Sequence, residues 1–169
     1  MKTFLYAAAI TAVLASGCGS LRTPSQASDL PLRYHNARYH LTFFLPANWA
    51  GYSVVIQQWE GSRFVPAKDR EEVTEHGPIL ILRHPQWKAS APRQDIPIRV
   101  FTRRQWEAYH EDGGFFIDAG GIDGEVGHNS KYVFSVWSRF NWGESPGWEE
   151  AGHIVERNQA LSQPHLHPM

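Results

Sequence analysis

The stretch from Gly77 to His110 restricts the fold more than any other part of the chain. Ile79-Leu80-Ile81-Leu82-Arg83 is an apolar run of strand length, His84 to Asp95 is a polar loop, and Ile96 to Phe101 is a second apolar run. A helix is predicted to start next. In Thr102-Arg103-Arg104-Gln105 the Thr102 hydroxyl is placed to accept from the Gln105 backbone N–H, while the Gln105 side chain reaches back to the N–H of Thr102. Phe101 before this cap and Trp106 four residues into the helix make a hydrophobic staple, which sets the angle between strand and helix. The order strand, loop, strand, helix is therefore written into local residues.

The flanking chain reads mainly as strand. Arg38 to Leu45 alternates, with Leu41, Phe43 and Leu45 on one face and His40, Thr42 and Phe44 on the other. Pro46 to Gly51 interrupts it, and Tyr52 to Trp59 resumes with β-branched residues, so these two runs are expected to pair antiparallel. A third short strand is predicted at Arg63 to Pro66, and the charged run Lys68 to His76 is expected as an exposed loop or a short helix. After the helix, Asp112-Gly113-Gly114 supplies a stop, Phe115 to Ile117 a short strand, Ala119 to Gly124 a turn, and Lys131 to Arg139 another alternating strand. Ser145-Pro146 caps a last helix, with Glu149 and Glu150 at its positive end. Trp148, Ala151, Val155 and Asn158, with Ile154 and Leu161 beside them, define its buried stripe. Strands joined by short links and two helices predict an α+β fold: an antiparallel sheet with helices at about 102–111 and 146–161 packed on one face.

The amino terminus carries different information. Met1-Lys2 is followed by a mostly apolar run from Thr3 to Ala15, too short to span a bilayer comfortably, and then by small residues. This describes an export signal. At Ala15-Ser16-Gly17-Cys18 the segment resembles the lipobox of bacterial lipoproteins, with Ala15 where Leu, Val or Ile is usual. The resemblance implies cleavage before Cys18 and attachment of diacylglycerol, with palmitate among its usual acyl groups, to that residue. Cys18 is the only cysteine, so no intramolecular disulfide exists to explain it. An ordinary signal peptide cut nearby, with Cys18 incidental, is the other reading. Gly19 to Leu30, rich in Ser, Thr, Pro, Gln, Gly and Ala, is expected to be a flexible tether. The expected organisation is a signal peptide at 1–17, a lipidated cysteine and tether at 18–30, one domain at 31–162 and an irregular tail at 163–169.

Composition narrows the function. Without residues 1–17 the chain keeps 15 of its 16 basic residues and all 17 acidic ones, a formal charge of −2. That balance offers no electrostatic footprint for nucleic acid. Tyr39-x-Leu41-x-Phe43-Phe44-Leu45-Pro46-x-x-Trp49 is similar to the opening strand of PsbP-like domains. The resemblance covers about ten residues and implies a central antiparallel sheet flanked by helices, with a non-catalytic, partner-binding role.

Chemistry-bearing residues are numerous. Nine histidines lie at 35, 40, 76, 84, 110, 128, 153, 165 and 167, and none has the spacing of a His-Glu-x-x-His helix. His165 and His167, two apart on the tail, are the one close pair, and a solvated tail explains them. No metal or other cofactor is expected. Gly143-Glu144-Ser145-Pro146-Gly147 has the spacing of a Gly-x-Ser-x-Gly elbow, with Ser145 read here as the cap of the last helix, and Asp118, Asp123 and Glu125 lack the order of a calcium loop. Trp87 and Trp142, with His84 beside the first, are the candidate ligand-binding residues, because a large ring in a predicted loop either folds back on the core or meets a ligand.

Two functions follow. One is an envelope lipoprotein, held to a membrane by lipidated Cys18 and facing the periplasm or exterior, whose domain binds a protein or glycan partner without catalysis. The other is a small envelope hydrolase using His84 or His128 with a neighbouring carboxylate.

Overall fold

The computed structural model describes residues 32–117, 123–140, 143 and 145–162. Strands β1 (Leu32–Asn36) and β2 (Leu41–Leu45) form a hairpin. A 3-10 turn at Ala47–Trp49 leads into β3 (Ser53–Val65), and a second at Pro66–Lys68 turns the chain into β4 (Arg70–Arg83). There follow β5 (Ile96–Thr102), α1 (Arg103–His110), β6 (Asp123–His128), β7 (Tyr132–Trp137) and α2 (Trp148–Ser162). The five longer-range strands make one antiparallel sheet in the order β3-β4-β5-β7-β6. The class is α+β, as the alternating strands and two amphipathic segments predict.

Alternation along the strands divides the core between the two faces of this sheet. Leu80, Leu82, Ile96, Ile98, Val100, Phe134 and Val136 point to one face, where the β1-β2 hairpin and α2 cover them through Phe43, Leu45, Trp49, Ala151, Ile154 and Val155. Trp59, Phe101 and Val133 point to the other, where Phe115, Ile117 and α1 cover them. The two helices therefore lie on opposite faces, not on one. The reason is β5: Ile96, Ile98 and Val100 face α2, whereas Phe101 faces the other way, so the helix that follows Thr102 seals the face opposite to that taken by α2.

The capping box at Thr102 forms as expected, with Gln105 N–H to Thr102 Oγ1 at 3.2 Å and Thr102 N–H to Gln105 Oε1 at 3.0 Å. The staple also forms, the Phe101 and Trp106 rings meeting edge to face at 5.3 Å. Asp112-Gly113 follows the helix with Gly113 at a φ of 75°.

Other expectations also fail. The runs on either side of Pro46 do not pair: β2 pairs with β1, a strand that ends before the predicted start, and β3 pairs with β4. Lys68 to His76 is neither loop nor helix but mostly the first half of β4, in a long two-stranded ribbon with β3. Ribbon residues exposed on both faces have no apolar alternation to reveal them, and the charges pair along the strand, as Lys68 and Arg70 do with Glu72. The glycine-rich turn ends in β6, a strand at Asp123–His128. In α2 the predicted stripe is buried at Ala151, Ile154, Val155 and Asn158, while Leu161 is exposed.

Candidate binding groove

The turn at Ala47–Trp49 follows β2 where it packs along α2. Asn158 fixes this contact. Its side-chain amide accepts from the Phe44 N–H at 2.9 Å and donates to the Phe44 carbonyl at 2.9 Å, so it pairs with β2 as a neighbouring strand would. Between the two elements runs a groove of about 480 Å³ lined by Phe44, Leu45, Pro46, Glu149, Glu150, His153, Ile154 and Arg157. Its floor is apolar and its rim carries both signs of charge. The floor comes from β2 and the rim from α2, where Glu149, His153 and Arg157 recur every four residues along one helical face.

One end of the groove adjoins a polar cluster. Glu150 accepts from Asn48 Nδ2 at 2.5 Å and from Arg93 at 3.2 Å, joining the 3-10 turn, the loop before β5 and α2. Beside them His84 is buried, its ring edge to face with that of Trp49 at 5.0 Å between centroids. His84 Nδ1 accepts from the Gln86 N–H at 3.0 Å, which in the neutral ring puts the proton on Nε2. Burial holds the His84 pKa below the usual histidine range, Arg93 lowers it further, and Glu150 acts the other way. Trp49 Nε1, His84 Nε2 and Arg93 Nε are buried without a hydrogen-bond partner among the described residues.

The candidates from sequence fall as follows. Trp87 is half-buried and folds back beneath Arg83, whose guanidinium carbon lies 3.9 Å from the centre of the ring. Asp95 holds that guanidinium at 2.7 Å and raises its pKa by hydrogen bonding. His84, in the same turn, faces the core. Trp142 lies outside the described residues, as do Cys18, Asp118, His165 and His167. His128 Nδ1 contacts Glu125 Oε1 at 2.5 Å, and both side chains are exposed. The cavity beside His128 is about 90 Å³, walled by residues including His40, Phe43, Asn158 and Ser162. Among the described residues no three His, Cys, Asp or Glu side chains gather to hold a metal ion. No described helix is long and apolar enough to cross a membrane.

Sequence reasoning missed Glu149, His153 and Arg157. Their four-residue repeat was a visible signal, but it reads equally as a solvated helix face until β2 is placed against it. No protein-family model, curated protein or solved structure matches the chain.

Proposed function

We propose that the chain is an exported lipoprotein, anchored to a membrane of the bacterial envelope through Cys18, whose α+β domain binds a protein or glycan partner of the envelope without catalysing a reaction. The observation that supports the binding role is the groove between β2 and α2. Its volume, apolar floor and few rim charges are those of sites that hold a ligand by an apolar anchor and orient it by polar groups. The lipobox-like segment supports the anchor, and the similarity of Tyr39 to Trp49 to PsbP-like domains agrees with a partner-binding role.

Thermal unfolding in the presence of envelope glycans and peptides tests the groove. A ligand at a hundred times its dissociation constant adds about 2.7 kcal/mol, which at this chain length raises the midpoint by roughly 5 to 10 °C. The expected result is a shift that Arg157→Glu, on the exposed rim, removes. No shift with any probe, or one indifferent to this substitution, counts against the groove.

A hydrolase is the second reading, and the His128–Glu125 contact favours it, because a carboxylate on Nδ1 leaves Nε2 as a base. Against it stand the exposure of both groups and the small size of the adjoining cavity. Ester or peptide hydrolysis lost in His128→Ala would restore that reading.

A further inference from the structure

The two edges of the five-stranded sheet are treated differently. The β6 edge is short, is broken by an irregular register between Glu125 and Gly127, and has its Glu125 carbonyl covered by the side chain of Gln159 on α2 at 3.1 Å. Each of these is a device that keeps an edge from pairing with another chain. Between Ser53 and Trp59 the β3 edge lacks all of them. From Tyr52 to Trp59 it has no charge and no proline, and its register with β4 is regular from Ser53 to Gly61.

Its backbone polarity follows from one contact. Ser62 turns its N–H and C=O away from β4 and exchanges both with Phe116, each bond 2.9 Å. The register shift beyond Gly61 skips Thr74 of β4 and adds no residue to β3, so β3 keeps its two-residue alternation. Gln58, Ile56 and Val54 therefore also present N–H and C=O outward. Among the described residues nothing bonds to that side between Ser53 and Gln58. The same residues carry the exposed apolar side chains: Ile56 is 60% and Val54 37% accessible, on one face of the strand.

We propose that the outer edge of β3, from Ser53 to Gln58, receives an extended segment of a partner polypeptide as an additional antiparallel strand. The Ser62–Phe116 pair shows that this edge accepts an antiparallel neighbour with good geometry, and the partner strand occupies the next positions along it. Its side chains opposite Val54 and Ile56 are β-branched or aromatic, since such cross-strand pairs match the apolar face. Charged residues are excluded opposite this uncharged run. A second copy of the chain is the weaker occupant: a stable interface engages about 20 to 30 residues a side, and six edge residues supply about a quarter of that, enough for a linear segment but not for two rigid domains. The inference rests on the binding role proposed above but uses none of the groove residues.

The test uses the full-length protein in detergent micelles and a displayed library of random heptapeptides. Enriched peptides are then made with N-methyl groups on one or the other alternate set of residues. The expected result is enrichment of alternating β-branched or aromatic sequences, with binding weakened at least about tenfold by methylation of only one set. Ile56→Pro removes an outward N–H that β4 does not use, a change tolerated on an edge, and should weaken binding as much. Ile56→Lys should do so without altering the backbone. Arg157→Glu should leave it unchanged, which separates failure of the groove from failure of the edge. Absence of enrichment overturns the proposal, as does binding indifferent to both methylation sets. A concentration-dependent dimer abolished by Ile56→Lys, with no peptide bound, also overturns it in favour of self-pairing.

Discussion

His84 shows how a residue's chemistry is decided by what surrounds it. On the chain it is one of nine histidines in a polar loop; in the fold it is a buried, neutral ring against Trp49. Its lowered pKa has a consequence for stability. The unfolded chain binds a proton near pH 6.5, whereas the folded chain does so only at lower pH. Between those values the unfolded state holds more protons, so stability falls as the pH drops through that window. Denaturant unfolding from pH 7 to 5 should show this loss, and His84→Asn should flatten that component. A slope unchanged by the substitution would place the titration on another group. Trp59 illustrates the same dependence on surroundings: its ring covers Gly77 on the facing strand, where a Cβ would lie 2.6 Å from it, and its Nε1 donates to the Val100 carbonyl. The aromatic ring takes the space that a side chain at Gly77 would need.

Among the elements, α1 and α2 were legible from sequence for different reasons. Helix α1 begins where its cap and staple are contiguous residues, so the signal needs no partner. Helix α2 was legible from its stripe, but its most consequential residue was read as ordinary core. Asn158 is buried because its amide completes the edge of β2 at Phe44, and it also donates to the Ile154 carbonyl. Asn158→Ala should leave both Phe44 backbone groups unpaired and cost about 2 kcal/mol or more. Asn158→Asp keeps the acceptor and loses the donors. Chemical denaturation of both variants would measure this, and a cost under about 0.5 kcal/mol for the alanine variant would mean that the amide is not what joins hairpin to helix. The outer half of the β3-β4 ribbon was illegible because it is exposed on both faces: Phe64 and Val73, half-exposed, lie among charged and polar neighbours instead of in a stripe.

For the molecule as a whole, the expected attachment point is far from the sheet in sequence, and it has its own test. Cells expressing the chain and fed labelled palmitate should incorporate label, and Cys18→Ser should lose both the label and membrane fractionation. Loss of neither would reduce Cys18 to an incidental residue of an ordinary signal. Two acyl chains or more hold a protein stably at a membrane where one does not.

Local residues determined by themselves the α+β class, the strand-loop-strand-helix unit, the start of α1 and the buried stripe of α2, since periodicity and caps act over a few residues. Only the tertiary structure decided that the helices take opposite faces, that β1 and not β3 is the partner of β2, that a charged run is a strand, and that β2 and α2 enclose a groove. Each of those depends on which surfaces meet across tens of residues, and that is a matter of competing long-range pairings which no local pattern encodes.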